Sequence, residues 1–130
     1  MSTQTKSPEI VLDYVKTIGI VNNGFNGRGF ANPYDIVVDD KDRIFVLNRC
    51  DPPRASAIRV GICNLDEEYL GEFGTGGMES GQFWWPSSLA FDSQDRLYVA
   101  DEALQRISVF SKEGEFLGQW GEAGSMDGQL

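Results

Sequence analysis

Asp101 and Arg106 are the residues of this chain best suited to chemistry, because a carboxylate beside a guanidinium is a common device for orienting a substrate. They flank the four residues EALQ, a spacing typical of a hairpin turn, so their side chains are expected to meet across two adjacent strands. Charged pairs of this kind shift pKa values without marking an active site. The sequence therefore favours a structural role for Asp101 and Arg106 over a catalytic one.

The remaining residues offer no recognisable catalytic, cofactor or metal site. The chain has no histidine, which removes the commonest general base and the commonest metal ligand from any mechanism confined to it. No nucleophile is paired with a base. The glycines Gly74, Gly76, Gly77 and Gly81 suggest a phosphate-binding loop, but a strand pattern rather than a helix follows them. We therefore predict turns with positive φ at these glycines, and neither a cofactor nor a metal.

The cysteines and the N-terminal sequence favour a cytoplasmic location. MSTQTKSPEI lacks the charged start, apolar stretch and small-residue cleavage site of a secretory signal. No run of about 18 apolar residues is present that could span a membrane. A single cysteine pair in such a chain is more often two free thiols than a disulfide, so Cys50 and Cys63 are predicted to be free.

The charge balance disfavours nucleic acids and anionic membrane surfaces as partners. The chain carries 20 acidic and 11 basic residues, a formal net charge of −9. Such a surface repels phosphate groups on average. Because the carboxylates are interspersed along the chain, they indicate a solvated surface that keeps β-strand edges apart rather than a cation site.

Two copies of one pattern account for most of the sequence. NPYDIVVDDKDRIFVLNR at 32–49 matches WPSSLAFDSQDRLYVADE at 85–102, and RVGICNLDEEYLGEFG at 59–74 matches RISVFSKEGEFLGQWG at 106–121. The offset between the copies falls from 53 to 47 residues, so the first copy contains a six-residue insertion within 49–58. A period of about 40 to 50 residues with several short apolar runs is typical of propeller blades, each a four-stranded antiparallel sheet.

The repeat predicts an all-β fold, an incomplete β-propeller with no helix longer than one turn. Blade one is expected at 30–74 and blade two at 83–121, with strands of the second copy near 87–91, 96–100, 106–110 and 115–120. A flexible segment at 1–10 and an outer strand at 11–19 precede them, since DYVKTIG resembles EYLGEFG. Residues 122–130 resemble GTGGMESGQF and predict the start of a further repeat.

The repeated residues resemble the NHL repeat, and the resemblance covers essentially 13–130. It is carried by Pro-x-x-hydrophobic-x-hydrophobic-Asp, DRLYVAD, RISVF and GEFLGQWG in the second copy, with Asp101, Arg106, Phe110 and Gly121 at positions marked in that family. The first copy departs from it at Asn48, at Cys63 and in the insertion. The resemblance implies a six-bladed, TolB-like propeller and a platform that binds protein or RNA more often than it catalyses a reaction. Some similar propellers are lyases or lactone hydrolases that hold metal ions around the channel.

The candidate binding surface lies at one end of the blades. Because strands alternate in direction, the loop after the second strand and the segment leading to the next blade emerge on the same face. Those segments lie at 22–29, 49–57 and 74–85. Loops on a rigid scaffold concentrate binding residues, and exposed tryptophans mark interfaces. One of the two adjacent tryptophans is expected to pack between blades, while a binding role for the other stays open. The candidate partner-binding residues are Phe25, Arg28, Arg49, Asp51, Arg54, Trp84 and Trp85.

Two functional hypotheses follow. The first is a non-catalytic scaffold that binds a protein through this loop face, and it is favoured because no catalytic set is present. The alternative is part of a propeller enzyme, a metal-dependent lyase or lactonase-like hydrolase, whose catalytic residues lie in other blades. Two blades alone would leave apolar faces uncovered, so the isolated chain is expected to aggregate, to stay partly molten or to assemble, for example as a trimer completing a six-bladed ring.

Overall fold

The chain forms two four-stranded antiparallel sheets, as the repeat predicts. The computed structural model describes residues 7–19 and 29–124. Blade one contains β1 (Pro33–Val38), β2 (Ile44–Asn48), β3 (Arg59–Cys63) and β4 (Tyr69–Phe73). Blade two contains β5 (Pro86–Phe91), β6 (Leu97–Asp101), β7 (Arg106–Phe110) and β8 (Phe116–Trp120). In each sheet the strand order follows the chain order, which is the arrangement of a propeller blade.

The first hairpin of each blade is held by an aspartate at the start of its turn. Asp39 Oδ1 accepts the backbone N–H groups of Lys41 at 2.9 Å and Arg43 at 2.8 Å, and Asp39 Oδ2 accepts Arg43 Nε at 2.7 Å. Asp42 adopts a left-handed φ of 59°, a conformation that aspartate tolerates better than most residues. Asp92 makes the equivalent contacts in blade two. These bonds explain why an Asp-x-x-Asp-Arg pattern occurs in both copies.

The main core lies between the two sheets, although Ile44 and Val46 on the opposite face of blade one are also buried. The central aromatic contacts are Phe45 against Phe91, with ring centroids 5.2 Å apart, and Phe73 against Phe110 at 5.1 Å. The fully or largely buried residues of this core are Phe45, Leu47, Ile58, Val60, Ile62, Phe83, Leu89, Leu97, Val99 and Phe110. One face of blade one therefore covers one face of blade two, and burial of this apolar surface is the main source of stability.

The segment that links the blades, residues 74–85 (the linking segment), is part of this core. Phe83 is fully buried between the sheets. A Cβ atom at Gly74 would overlap the Phe83 ring, and Gly74 has a φ of +85°. Glycine is required there both for the close approach and for the backbone conformation. No helix forms over residues 75–83, in agreement with the sequence analysis.

The insertion in blade one forms a short 3-10 segment, Pro52–Ala57, in which neither helical piece is longer than one turn, as the sequence predicts. It consists of two short turns joined at Arg54, whose backbone (φ −104°, ψ 57°) is not helical. A proline near its start suits a helix because the missing N–H would be unpaired there. Ala55 O accepts the Gly76 N–H at 2.7 Å, which fastens the insertion to the linking segment.

Residues 7–19 carry no assigned strand, which differs from the outer strand predicted at 11–19. Their side chains are mostly exposed, and Lys16 Nζ donates a hydrogen bond to the Leu65 carbonyl at 2.6 Å. A strand needs a partner edge, and no strand of blade one or two pairs with this segment. The outer strand at 11–19 therefore stays a prediction, which requires a neighbouring strand edge that blades one and two do not provide. Of the predicted further repeat at 122–130, residues 125–130 lie outside the described residues.

Candidate binding surface

The loop face is built by three segments that the sheets bring to one end of the blades: the loop after β2, the linking segment and the loop after β6. The Arg49 N–H donates to the Asn32 carbonyl at 3.1 Å, and the Glu102 N–H donates to the Trp85 carbonyl at 3.1 Å. These equivalent bonds fix the residue that follows the second strand of each blade. As a result, Arg49 of blade one lies beside Trp85 and Glu102 of blade two.

Arg49 lies between two aromatic rings. Its Cζ atom is 4.5 Å from the centroid of Tyr34 and 4.7 Å from that of Trp85. Its Nη2 atom forms an ion pair with Glu102 Oε1 at 2.7 Å, while Nη1 has no hydrogen-bond partner among the described residues. The Arg49 side chain is only 14% exposed, but Tyr34 and Trp85 remain 52% and 45% exposed. The guanidinium thus holds two rings in place, each with a free surface; each such contact contributes about 0.5–2 kcal/mol.

The buried Asp101 carboxylate fixes the backbone of Trp84 and Trp85. Its carboxylate accepts the backbone N–H groups of Trp84 at 2.7 Å and Trp85 at 3.1 Å. It also accepts those of Ala103 at 3.2 Å and Leu104 at 3.0 Å in the next turn. Four donors on one buried carboxylate make a rigid support, because each bond to a charged group is stronger than a neutral one.

Asp101 and Arg106 are not the ion pair that the sequence predicts. They are opposite one another on β6 and β7, yet no ion pair joins them within the described residues. Arg106 instead donates to the carbonyls of Met78, Glu79 and Gln82, at 3.1, 2.6 and 2.9 Å. The linking segment lies between β4 and β5 rather than within a sheet, so its carbonyls are open to the donors of the buried Arg106 guanidinium. Both side chains therefore act structurally, by holding the linking segment.

Blade one repeats this arrangement with different residues. Asn48 replaces Asp101, and its Oδ1 accepts the Ala31 N–H at 2.9 Å. Arg59 replaces Arg106 and forms an ion pair with Glu72, with Nε and Oε2 2.6 Å apart. The residue equivalent to Glu72 in blade two is Gln119, and Arg106 Nε is buried without a partner in the described structure.

The other candidate binding residues differ in their burial and in whether they lie within the described residues. Trp84 is partly buried, whereas Asp51 and Arg54 are exposed on the inserted loop. Phe25 and Arg28 lie outside the described residues. Sequence reasoning missed Tyr34 and Glu102. Glu102 could have been found from the repeat, because it aligns with Arg49 at the offset of 53. Tyr34 lies within β1, where the pattern predicts a packing residue.

Comparison with known proteins agrees with this geometry. Residues 83–110 match the NHL repeat. NHL repeat-containing protein 3 of Homo sapiens is 30% identical over 118 residues, which are 86% of this chain and 32% of that protein. Protein brain tumor of Drosophila melanogaster is 45% identical over 62 residues, 48% of this chain and 6% of that protein. The chain belongs to the NHL-repeat β-propeller family. It spans about a third or less of the length of these relatives.

A solved propeller also resembles this NHL-repeat chain. Virginiamycin B lyase from Staphylococcus aureus matches with a TM-score of 0.51 and 16% identity, over 75% of this chain and 29% of the lyase. At that identity the likeness concerns the fold alone. No group of three or more His, Cys, Asp or Glu side chains in 7–19 and 29–124 is arranged to hold a metal ion. Over the same residues, no helix is long and apolar enough to cross a membrane.

The two cysteines of the NHL-repeat chain are both unbonded and partly buried. Burial raises the pKa of the Cys63 thiol above its ordinary value, so less of it is in the reactive thiolate form at neutral pH. Cys63 takes the place that Phe110 holds in blade two, and it lies on the face of blade one that no other blade covers. Its position is therefore that of a small apolar packing residue.

Proposed function

We propose that this chain is a non-catalytic scaffold that binds a protein partner through its loop face, with Arg49, Tyr34 and Trp85 at the centre of the contact. The observation that carries the proposal is the pair of half-exposed rings held on either side of Arg49. Rigid aromatic anchors beside an arginine are the residues that contribute most energy to protein interfaces. Trp85 is held by Asp101 and both rings are held by Arg49, so little conformational entropy is lost on binding.

The charge of the chain supports a protein partner over a nucleic acid. The net charge is −9, and the one arginine at the centre is already paired with Glu102. A phosphate backbone would meet little free positive charge on such a surface. The exposed Asp51 and Arg54 on the inserted loop extend the surface with one charge of each sign, which suits a polar rim around an apolar centre.

The wider setting of the surface is part of the same proposal. We infer that the blades belong to a six-bladed, TolB-like ring, as is usual for NHL repeats, with the loop face at one mouth of its channel. A cytoplasmic location fits the two unbonded cysteines, because thiols persist in a reducing compartment. We also expect Phe25 and Arg28 to contribute to the same loop face, because they occupy the segment equivalent to the linking segment.

The proposal is tested by photo-crosslinking from the loop face. A photoreactive amino acid at position 34 should capture a defined protein in cells, whereas the same amino acid at Tyr69, a half-exposed residue on β4, should not. The affinity of the purified partner is then measured by titration. Arg49→Lys, which keeps the charge but loses the stacking plane, and Trp85→Ala should each weaken binding about tenfold or more.

Two controls make the result decisive. Tyr69→Ala removes an aromatic ring of similar exposure elsewhere and should leave the affinity unchanged. Circular dichroism of each variant shows whether the blades stay folded. A partner captured equally from both positions, or an affinity insensitive to Arg49→Lys and Trp85→Ala, would refute the loop face as the binding surface.

A further inference from the structure

The two aromatic rings at the centre of the loop face, Tyr34 and Trp85 (the aromatic pair), belong to a junction that is complete within the chain. Tyr34 lies in β1 of blade one, and Trp85 is the last residue of the linking segment, directly before β5 of blade two. Arg49 contacts both rings and forms an ion pair with Glu102, so the group that holds the aromatic pair also joins blade one to blade two. The geometry of the aromatic pair therefore follows from these two blades alone.

The distance between the two rings is limited by the arginine that they share. Arg49 Cζ lies 4.5 Å from the centroid of Tyr34 and 4.7 Å from that of Trp85, so the two centroids are at most about 9 Å apart. Among the described residues the two rings make no contact with each other, for which the centroids would lie about 4.5–7 Å apart. The aromatic pair therefore presents two separate rings to a partner, rather than one stacked unit.

This separation matches the repeat of a polyproline II helix. Such a helix rises about 3.1 Å per residue with three residues per turn, so side chains three residues apart lie on one side, about 9 Å from each other. Side chains on one side of a partner are closer together in the other regular structures, at about 5–6 Å for one turn of an α-helix and about 7 Å for alternate residues of a strand. The aromatic pair is therefore spaced to contact two side chains of a polyproline II helix at once.

The polar tips of the aromatic pair are free to bind backbone carbonyls. Neither the Tyr34 hydroxyl nor the Trp85 indole N–H donates a hydrogen bond to any residue that the structure describes. A polyproline II helix has no internal hydrogen bonds, so its carbonyls accept them from water or from a partner. Tyrosine and tryptophan each combine an apolar ring with a donor at its tip, so they can pack against proline side chains and bind the carbonyls between them.

The charges around the aromatic pair favour a basic residue in the partner. In the loop after β2, the linking segment and the loop after β6, the exposed carboxylates are Asp51, Glu79 and Glu102, and Arg54 is the one exposed cation. Glu102 binds Arg49 through Oε1, and its side chain stays 52% exposed. The net charge of −9 adds a long-range attraction for cationic segments. A lysine or arginine beside the prolines would therefore meet opposite charge.

From the spacing, the free donors and the charge we infer that the loop face binds a basic, proline-rich segment in a polyproline II helix. Two prolines three residues apart contact Tyr34 and Trp85, and a neighbouring lysine or arginine pairs with the Glu102 carboxylate. Surfaces lined by aromatic rings bind such segments with little loss of conformational entropy, because the helix is already formed before binding. The inference rests on the proposed function, since it assigns the partner chemistry of the same surface.

Three synthetic peptides test the inference on the full 130-residue chain. The first is a run of about ten prolines preceded by one arginine, long enough for about three turns of the helix. In the second, glutamate replaces the arginine, and in the third, glycine and serine replace the prolines. Fluorescence polarisation of the labelled peptides measures each Kd. The first should bind at least about tenfold more tightly than the flexible third, and more tightly than the second by a margin that falls as salt is added.

Variants of the aromatic pair connect this binding to the site. Trp85→Ala and Tyr34→Ala should each weaken binding of the first peptide about tenfold or more. Tyr34→Phe keeps the ring but removes the hydroxyl donor, and it should weaken binding about two- to tenfold. Tyr69→Ala, at a half-exposed ring on β4, is the matched control and should have no effect. A peptide with two alanines between two prolines should bind more tightly than one with three, because only the first places both prolines on one side.

The inference is wrong if the arginine-bearing proline peptide binds no more tightly than the glycine and serine peptide, or if Tyr34→Ala and Trp85→Ala leave its affinity unchanged. It is also wrong if the partner captured by crosslinking from position 34 has no prolines three residues apart in the crosslinked segment. In that last case the proposed loop-face function still stands, because a defined protein is captured. A partner captured equally from positions 34 and 69 would instead refute the proposed function itself.

Discussion

At the scale of single residues, the two copies act as natural variants of one another. Arg59 and Arg106 have the same place on equivalent strands, but only Arg59 has a carboxylate, Glu72, beside its Nε atom. In blade two Gln119 stands at that position, and Arg106 Nε is buried without a hydrogen bond in the described structure. A buried charged donor without an acceptor is unfavourable. The comparison identifies position 119 as one where the residue found in the other copy would make the chain more stable.

Gln119→Glu should therefore stabilise the chain. The new carboxylate can pair with Arg106 Nε as Glu72 pairs with Arg59, and we expect a gain of up to about 1 kcal/mol because position 119 is exposed. Glu72→Gln is the reciprocal control and should cost about 1–3 kcal/mol, since the buried Arg59 guanidinium loses the opposite charge beside its Nε atom. Urea unfolding measures both. A stability loss in Gln119→Glu would show that the two sites are not equivalent.

The sequence predicts the roles of several residues better than it predicts their contacts. Asp101 and Arg106 were expected to be structural, and they hold the linking segment, but not as a pair. Which backbone groups lack partners depends on the path of residues 74–85, and no local pattern specifies that path. Arg49 was selected because it begins an irregular loop. Its aromatic partner Tyr34 was missed, because the side of a strand that faces a loop is decided by tertiary packing.

At the scale of secondary-structure elements, the β1–β2 and β5–β6 turns depend on ionised aspartates. Burial alone would raise the pKa of Asp92, but hydrogen bonds from the backbone of Arg96 and from the Tyr98 hydroxyl hold the pKa well below its ordinary value. The charged form is therefore favoured in the folded state. Tyr98 OH donates to Asp92 Oδ2 at 2.8 Å, which joins the turn to the following strand.

This turn predicts a specific loss of stability in acid. Because the pKa of Asp92 is lowered on folding, its contribution is complete above the unfolded pKa of about 4 and declines as the pH falls below it. Asp92→Asn should thus make the pH dependence between about pH 4 and 2 less steep. Thermal unfolding followed by circular dichroism at a series of pH values checks this. Asp66→Asn, at an exposed aspartate of the β3–β4 turn, should leave the slope unchanged.

The secondary structure was predicted from periodicity more accurately at its centre than at its boundaries. The eight strands follow from short apolar runs between Asp and Gly turns. The insertion was recognised from the change in offset, but its two 3-10 turns were not, since the hydrogen bond from the Gly76 N–H to the Ala55 carbonyl joins residues far apart in sequence. The segment predicted as an outer strand at 11–19 shows that a strand-like sequence pattern does not by itself produce a strand. Its pattern is that of β4, but a pattern cannot supply the neighbouring edge.

At the scale of the whole molecule, the repeat explains both what is buried and what is left uncovered. Leu89 and Ile36 are repeat equivalents on the same sheet face of their blades. Blade one covers Leu89, whereas Ile36 is more than half exposed. Repeat arrays are stabilised by contacts between neighbouring units, and about three units are generally needed. The stability of the two blades should therefore depend on what covers the faces that they leave exposed.

The last prediction is that the unfolding temperature rises with protein concentration, because association favours the folded state by mass action. Leu89→Ala removes a side chain from the contact inside the chain and should lower this temperature at every concentration, by a loss of about 2–4 kcal/mol. Ile36→Ala should lower it only in concentrated samples, where a second copy covers that face. Circular dichroism over a wide dilution series compares the two variants. A sharp transition at one temperature throughout the series would show that two blades form a stable monomer, and that contacts between copies add nothing to their folding.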